Sequence, residues 1–410
     1  MILIKYIHII YIYITVSFVV DSLSNYSVMI KPYFISVHQD ILDDLNLRIE
    51  NTRWPDEMDN SGWDYGSNLS YMKELSAYWL KDFSWRNIES EINSFPNFMA
   101  NIDGHQIHFL HIKGKSKKKS IPLIITHGWP GSFMEMLKLI PLLTEDENFS
   151  FDLVIPSVIG FGFSSKCVES GCDNAYIADV WHKLMLKLGY EKYGAQGGDI
   201  GSGISTHLGL KYPDHIIGIH LNYVSDSFEP YVARKEFSED VIKYNQELEE
   251  WASKEAGYAY IQSTKPMTLA YGLNDSPIGL CAWIVEKLNS WSDNTGQIES
   301  VFSKDEILSN VTLYWVTQTI HSSIRIYNEN SKNPMIFKST DFVSVPVAYA
   351  NFPEEISRPP HAYAALGYNI TKWTDMPSGG HFAAMEKPKL LASDIKEFFS
   401  SILLSKQYAI

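Results

Sequence analysis

The chain has little cysteine, with three residues in a total of 410. Three cysteines are too few for a disulfide framework. Cys167 and Cys172 are near enough in sequence to form one local disulfide if the compartment is oxidising. Cys281 lies in the apolar run LCAWIV, which is typical of a buried small hydrophobic residue.

Positive charge is also scarce. The 34 lysines and arginines are outnumbered by 48 acidic residues, which gives a formal net charge of −14. This balance excludes general nucleic-acid binding, so no nucleic-acid partner is expected. The one basic cluster, KGKSKKK at 113–119, lies between two strand-like runs and is interpreted as a solvated hairpin loop. Low-complexity segments and internal repeats are missing, and the length fits one large domain with insertions, or two domains.

The first twenty residues are almost free of charge. They hold one lysine, one histidine and no acid before Asp21. Residues 1–20 just suffice to cross a bilayer, which needs about 20 apolar residues. Residues 1–24 are therefore predicted to be a signal anchor that associates the protein with the endoplasmic reticulum membrane, or a signal peptide cleaved before secretion. A buried N-terminal strand is the alternative. Sequons permit glycosylation at Asn25, Asn68, Asn148, Asn310 and Asn369.

Strand and helix patterns alternate along much of the chain. Residues 25–100 have a helical and aromatic pattern, and the alternation begins at 121, breaks at about 225 and resumes near 343. This succession predicts an α/β fold with a mostly parallel sheet. The predicted regions are an N-terminal helical meander (25–115), the first half of the core (116–225), a helical lid (226–335) and the second half of the core (336–410).

Metal-ligand clusters are missing as well. His105, His108 and His111 fall in one strand-like run. In a strand, residues 105 and 108 point to opposite faces, and residues 105 and 111 lie about 20 Å apart. No metal site is predicted there.

The heptapeptide GGDIGSG at 197–203 concentrates four glycines around Asp199. Asp199 follows a strand-like run and precedes a helical one, with small residues on both sides. This pattern is typical of a nucleophile elbow, a sharp turn that holds its residue above the sheet. The alternative is a loop whose aspartate caps the next helix. A carboxylate at an elbow attacks sp³ carbon and forms an alkyl ester, and it does not suit amide hydrolysis.

The partners of such a nucleophile follow in the order acid, then histidine. The last strand-like run is followed by Glu354 and Glu355, and His381 lies in the glycine-flanked segment SGGHF. An oxyanion hole would use the N–H of Ile200 and a second N–H from Trp129 in HGWPG, although HGWP is also compatible with a simple tight turn.

Several longer motifs occur in order along the chain. Together they resemble the microsomal-type epoxide hydrolases of the α/β-hydrolase superfamily, from about residue 30 to 402. The resemblance implies the α/β-hydrolase fold with a helical lid and an N-terminal meander. The motifs are HGWPGS, GGDIGSG, GYAYIQSTKP, LNDSPIGL, LYWVTQTIHSSIRIYNEN and SGGHFAAMEKPKLLA.

Position by position, the resemblance assigns the catalytic roles. It makes Asp199 the nucleophile, His381 the base and Glu355 the acid that orients the histidine. It also makes Tyr258 and Tyr327 the pair that hydrogen-bonds the epoxide oxygen, where a phenol can protonate the developing charge.

The chain departs from the family pattern at a few positions. Ile200 stands where the family commonly has tryptophan, which changes the pocket wall and keeps the backbone N–H. Gly160 stands where proline is usual, which loosens the loop 156–164. Glu354 beside Glu355 leaves the orienting acid open by one residue, because Pro353 interrupts the strand pattern.

The predicted function is hydrolysis of lipophilic epoxides to vicinal diols through an ester on Asp199, with water as the second substrate. No metal or organic cofactor is needed for this chemistry. One alternative is a haloalkane dehalogenase-like hydrolase, which also uses an aspartate nucleophile. The other is a non-catalytic binder of hydrophobic ligands on the same fold. The sequence specifies no oligomeric state.

Overall fold

The computed structural model describes residues 30–117, 120–225, 228–231 and 238–404. Nine strands form one sheet in the order β1-β2-β3-β5-β4-β6-β7-β8-β9. The strands are Lys31–Pro32 (β1), Asn97–Ile102 (β2), His105–Ile112 (β3), Ile121–Thr126 (β4), Phe151–Pro156 (β5), Tyr193–Gly197 (β6), Ile216–Leu221 (β7), Val343–Asn351 (β8) and Tyr368–Asp375 (β9).

The sheet is antiparallel at one edge and parallel elsewhere. The pairs from β1 to β3, and β3 with β5, are antiparallel, whereas the pairs from β5 through β4, β6, β7 and β8 to β9 are parallel. Every residue of β4, β6 and β7 is buried, as expected for parallel strands covered on both faces. The arrangement is the α/β-hydrolase fold that the sequence predicts.

Helices cover both faces of the sheet and its rim. Those before β7 are Gln39–Glu50 (α1), Leu69–Lys81 (α2), Trp85–Asn93 (α3), Leu139–Thr144 (α4), Asn174–Lys187 (α5) and Asp199–Lys211 (α6). Those after β7 are Glu239–Glu255 (α7), Gly257–Thr264 (α8), Pro266–Leu273 (α9), Pro277–Ser290 (α10), Lys304–Thr317 (α11), Ile320–Lys332 (α12), His361–Ala364 (α13), Ala383–Glu386 (α14) and Pro388–Leu404 (α15). Short 3₁₀ helices occupy Phe133–Met136 and Ile298–Ser300.

Local sequence signals explain where several helices begin. Asn68, Asp173 and Ser303 precede α2, α5 and α11, and the side chain of each accepts an N–H from the first turn of its helix. Such caps satisfy donors that have no partner within the helix. At the other end of α5, Gly189 adopts φ 84°, as predicted for a C-terminal stop.

The helices α7 to α12 lie between β7 and β8 in sequence and over the carboxyl ends of the strands in space. Tyr258 of α8 and Tyr327 of α12 both contact the ring of Trp129, which follows β4. The helical insertion therefore stands above the edge of the sheet where Asp199 emerges, at the end of β6.

Besides the two-residue β1, two strands were missing from the sequence prediction. The run NFMANI forms β2 and pairs with β3 through a turn at Asp103 and Gly104, both at positive φ. An Asp-Gly pair between two strand-like runs is a hairpin signal, so the sequence did carry this information. The second, β9, lies at the edge of the sheet, and most of its residues are only half-buried.

The basic segment at 113–119 is not a hairpin loop. Its described residues connect β3 to β4, and these strands are not neighbours, because β3 pairs with β5. Lys113 and Lys115 form exposed ion pairs with Asp152 and Glu145, at 2.8 and 2.9 Å. A local cluster of like charge identifies a solvated loop but not the strands that the loop joins.

The structure also tests two predictions about covalent modification, namely disulfide formation and glycosylation. Cys167 and Cys172 are free thiols, so the local disulfide is not formed here, and Cys281 is buried as predicted. Asn310 is buried in α11, and its Nδ2 donates to the carbonyl of Pro130 at 2.7 Å. The sequon at Asn310 is therefore closed to glycosylation in the folded chain, whereas Asn25 lies outside the described residues.

The predicted signal or anchor at 1–24 also lies outside the described residues. Within the described part of the chain, we find no helix with the length and apolar character that a membrane crossing requires. The same part contains no group of three or more His, Cys, Asp or Glu residues placed to hold a metal ion.

Candidate active site

Asp199 stands on a strained turn between β6 and α6. Its backbone adopts φ 49°, a conformation that non-glycine residues seldom take. The turn is tight because glycines let the backbone segments touch. A Cβ at Gly197 would lie 2.2 Å from the carbonyl oxygen of Gly201, and a Cβ at Gly201 would lie 2.0 Å from that of Thr126. The heptapeptide thus forms the predicted elbow.

The carboxylate of Asp199 does not cap the helix. The N-cap residue of α6 is Gly198, which makes no side-chain capping bond. Instead, Oδ1 of Asp199 accepts the backbone N–H of Trp129 at 2.8 Å. Ile200, next along α6, belongs to a first turn whose N–H groups have no partner within the helix. The N–H of Trp129 therefore contacts the carboxylate of Asp199, and the oxyanion hole formed with the N–H of Ile200 stays a prediction.

His381 connects Asp199 to a buried glutamate. Its Nε2 lies 3.5 Å from Oδ2 of Asp199, and its Nδ1 lies 2.5 Å from Oε1 of Glu355. The side chain of Glu355 is fully buried, whereas Glu354 is exposed and pairs through its backbone with Gly380. The structure therefore brings Glu355, and not its neighbour, to the histidine.

Electrostatics favour a charged His381 when Asp199 is ionised. Burial lowers the pKa of His381, but the carboxylates of Glu355 and Asp199 outweigh burial and raise the pKa well above its ordinary value. An ester on Asp199 would remove one of these two negative charges. The histidine would then lose its proton more easily, which is what a general base for water needs.

The two predicted tyrosines meet above Trp129. The Tyr258 ring stacks on the Trp129 ring with centroids 5.3 Å apart, and the Tyr327 ring meets the same indole edge-on at 5.8 Å. The centroids of the two phenol rings are also 5.8 Å apart. Burial, together with Tyr258 and Asp199, raises the pKa of Tyr327 well above its usual value. Tyr327 thus keeps its proton and can donate a hydrogen bond.

A cavity of about 510 Å³ opens from Asp199 beneath the helical insertion. The two tyrosines line it together with Asp199, so all three polar groups face the same space. Much of its wall is apolar or aromatic and includes Ile200, Tyr223, Leu248, Trp251, Ala252, Ala259, Met335 and Ile356. The site can therefore place an apolar molecule against the carboxylate of Asp199 and two phenols.

Sequence reasoning missed two contributors to this site. The carbonyl of Trp291 accepts the backbone N–H of His381 at 2.9 Å and fixes the histidine segment, and no local pattern signals this contact. Glu135 is half-buried near Asp199 and His381, and burial is the main cause that raises the pKa of its carboxyl group to about 8. The spacing Ser132-x-x-Glu135 is a visible capping-box pattern, which predicts a helix start and not an acid turned toward the site.

Comparison with known proteins agrees with this architecture. Residues 30–136 match the family model described as epoxide hydrolase N terminus, and residues 121–232 match the model described as alpha/beta hydrolase fold. Two solved structures cover most of the chain at 29% identity. The juvenile hormone epoxide hydrolase of Bombyx mori has a TM-score of 0.84 over 93% of this chain and 96% of its own. The Aspergillus niger epoxide hydrolase has a TM-score of 0.81 over 92% and 97%.

Curated relatives give the same result at the level of sequence. Epoxide hydrolase 1 of Sus scrofa is 35% identical over 409 residues, which cover 92% of this chain and 90% of the relative. Juvenile hormone epoxide hydrolase 2 of Ctenocephalides felis is 36% identical over 89% of this chain and 84% of the relative. Because these relatives are at least 35% identical to this chain and cover about nine-tenths of it, the chain belongs to the epoxide hydrolase family of the α/β-hydrolase fold.

Proposed function

We propose that the protein converts lipophilic epoxides to vicinal diols through an ester on Asp199. One observation carries the proposal. Asp199 has one carboxylate oxygen on the Trp129 N–H at 2.8 Å and the other 3.5 Å from His381, and it lines the same cavity as Tyr258 and Tyr327. This arrangement provides a nucleophile, a base and two proton donors in one place.

The first half-reaction opens the strained ring. Oδ2 of Asp199 attacks a ring carbon, a new C–O bond forms and the ring C–O bond breaks. The departing ring oxygen takes a proton from the phenol of Tyr258 or Tyr327. Because Tyr327 is protonated in its buried position, it can donate as soon as charge develops on that oxygen.

The second half-reaction hydrolyses the ester. Water gives a proton to Nε2 of His381 while its oxygen bonds to the carboxyl carbon of Asp199. Charge then moves to Oδ1, where the N–H groups of Trp129 and Ile200 can hold it. Donors of this kind are typically worth about 2.7–4 kcal/mol each. Glu355 stabilises the imidazolium through the 2.5 Å contact with Nδ1.

The chemistry of the cavity points to an apolar epoxide. Leu248, Trp251, Ala252 and Met335 contribute to its wall, and its volume of about 510 Å³ lies within the range of small-molecule sites. Relatives from Ctenocephalides felis and Bombyx mori are named juvenile hormone epoxide hydrolases. A panel of aromatic, fatty and terpenoid epoxides that includes juvenile hormone would identify the preferred class.

A single turnover in H₂¹⁸O tests the mechanism. With enzyme in excess over a styrene-oxide-like substrate, we expect the label to enter the side chain of residue 199 before it reaches the diol. Label that passes straight into the diol would mean direct attack by water and would contradict the ester. Asp199→Ala should bind the epoxide and form no diol. Wild-type turnover by this variant would also contradict the ester mechanism.

We also propose that residues 1–24 direct the chain into the secretory pathway. The support is the uncharged apolar run of residues 6–20, and the preferred form is an anchor in the endoplasmic reticulum membrane. N-terminal sequencing of the mature protein, together with carbonate extraction of membranes, separates the two outcomes. An intact N-terminus in the membrane pellet supports the anchor, and a new N-terminus in the soluble fraction supports secretion after cleavage.

A further inference from the structure

A second, much smaller cavity lies beside Asp199, away from the substrate space. Its volume is about 20 Å³, and its wall includes Glu135, Gln196, Asp199, Asn222 and His381. Room of this size suits one water molecule, since about 10–15 Å³ is enough for one. Among the residues described as lining the two cavities, Asp199 is common to both. The carboxylate therefore separates the two spaces.

Gln196 supplies an acceptor to the small cavity. It is the fourth residue of β6, and its side chain is buried. Its Nε2 donates to Oδ1 of Asn222 at 2.9 Å, which fixes the amide with Oε1 pointing elsewhere. Oε1 has no hydrogen-bond partner among the described residues. A buried amide oxygen without a partner is costly, so a polar group is expected beside it.

Glu135 supplies a carboxyl group to the same cavity. Its Oε1 accepts the backbone N–H of Ser132 at 3.1 Å, which turns the side chain inward from the 3₁₀ helix. A Cβ at Gly131 would lie 1.1 Å from that oxygen, so the side chain can take this position because residue 131 is glycine. Burial, the main cause, raises the pKa of Glu135 to about 8. A neutral carboxyl group can both donate and accept hydrogen bonds.

We propose that Glu135 and Gln196 hold the hydrolytic water of the second half-reaction in this small cavity. The inference rests on the proposed function, and it adds two groups to that reaction. When the ester has formed, its alkyl part occupies the large cavity, so water approaches the carboxyl carbon from the other side of Asp199. One hydrogen of the water faces His381, and the other is held by Oε1 of Gln196 or by the carboxyl group of Glu135.

The step balances without a further reactant. The proton that leaves the water goes to Nε2 of His381, and the water oxygen bonds to the carboxyl carbon of Asp199. The tetrahedral intermediate then collapses, the bond from that carbon to the alkyl oxygen breaks, and the alkyl oxygen takes the proton from His381. The second hydrogen of the water is left on the carboxyl group of Asp199. It returns to the tyrosinate that the first half-reaction leaves, so Asp199, His381 and the tyrosine all end in their starting states. Glu135 and Gln196 are unchanged at the end, because they position the water and exchange no proton overall.

Single-turnover kinetics with a styrene-oxide-like substrate separate the two half-reactions. For Glu135→Gln we expect ester formation within about threefold of wild type and ester hydrolysis slowed by at least about tenfold. The ester should then accumulate and be visible as a mass increase on the intact protein. Glu145→Gln is the matched control. It makes the same change in an exposed glutamate that pairs with Lys115, so both rates should stay at wild type.

Gln196→Met tests the same step at a residue that lies in β6 and not in the 3₁₀ helix. It keeps a side chain of similar length and removes the unpartnered oxygen, so hydrolysis should again slow more than ester formation. Hydrolysis at the wild-type rate in both Glu135→Gln and Gln196→Met would overturn the inference, and so would equal slowing of both half-reactions. A wild-type protein that forms no ester would instead contradict the proposed function.

Discussion

The two oxygens of Asp199 have different surroundings, and this difference organises the candidate site. Oδ1 is held by the Trp129 N–H, and Oδ2 faces the imidazole of His381. The contacts come from segments that follow β4 and β9, while Asp199 itself follows β6. A positive φ at Asp199 keeps the carboxylate at the meeting point of these segments.

Glu355→Gln tests the electrostatic role of the buried acid. The change removes a negative charge that raises the pKa of His381, so that pKa should fall. Because histidine must be neutral to accept a proton, the acid limb of the ester-hydrolysis profile should move to lower pH. The plateau rate should fall by about 10²-fold or more, since the imidazolium loses its stabilising partner. Single-turnover hydrolysis measured from pH 5 to pH 9 gives both quantities.

The exposed neighbour provides the control for that experiment. Glu354→Gln removes the same charge one residue earlier, where the side chain faces solvent. Its pH profile and plateau should match wild type. A Glu354→Gln variant that shifts the profile as far as Glu355→Gln would contradict the assignment of the orienting acid.

At the scale of elements, the crossing of β4, β6 and α6 sets the position of Asp199. The first turn of α6 lies directly against the end of β4, where Gly201 touches the carbonyl of Thr126. A helix that begins at the end of one buried strand and touches the next has little freedom to shift. This rigidity is what lets backbone N–H groups serve as preorganised donors.

Gly201→Ala should therefore be costly. Its Cβ would lie 2.0 Å from a backbone oxygen, so α6 must move away from β4. We expect the free energy of unfolding to fall by about 1–3 kcal/mol, which is typical of overpacking. Denaturant unfolding followed by circular dichroism would measure the change, and diol formation should fall with it because Asp199 moves too.

A glycine in open space gives the comparison. A Cβ at Gly272 in α9 would meet no atom within 4 Å, so Gly272→Ala should leave stability equal to or slightly above wild type. If Gly201→Ala and Gly272→Ala were equally stable, the contact between α6 and β4 would tolerate a Cβ at residue 201, which would contradict the tight contact described here.

At the scale of the whole molecule, the N-terminal helices support the helical insertion from outside. Trp79 of α2 is buried and donates its indole N–H to Oγ1 of Thr312 in α11 at 3.1 Å. Arg48 of α1 pairs with Asp275 at 2.7 Å on the surface. The buried contact dominates, because exposed ion pairs contribute about 0–1 kcal/mol. The insertion is thus packed between the sheet and the N-terminal region.

Trp79→Ala tests this support. Removing a buried tryptophan typically costs about 3–5 kcal/mol, and here it also removes the partner of Thr312. We expect a lower melting temperature and weaker epoxide binding, because α11 leads into α12, which carries Tyr327 of the cavity wall. Thr312→Val, which removes the hydroxyl and keeps the packing, should cost about 1 kcal/mol. A Trp79→Ala protein with wild-type melting and binding would show that the N-terminal helices are independent of the insertion.

The interior strands were predictable because the apolar pattern that identifies them lies within each strand's own sequence. The runs IPLIIT and HIIGIHLNY are continuously apolar, since parallel strands are buried on both faces. The edge strand β9 was missed because its sequence, YNITKWTD, is half polar and half-buried. Edge strands carry polar side chains on their open side, which weakens the pattern that identifies a strand.

The sequence by itself determined the elbow at Asp199, the chain order of Asp199, the two glutamates and His381, and the helical insertion, because glycine spacing and hydrophobic periodicity are local properties. The motif resemblance favoured Glu355 and the residue pattern left Glu354 open, and tertiary structure decided that Glu355 reaches His381. It also decided that Glu135 turns toward Asp199, in a cavity shared with Gln196. These facts depend on which distant segments bury a given side chain, and burial between segments far apart in the chain leaves no periodic trace in the sequence.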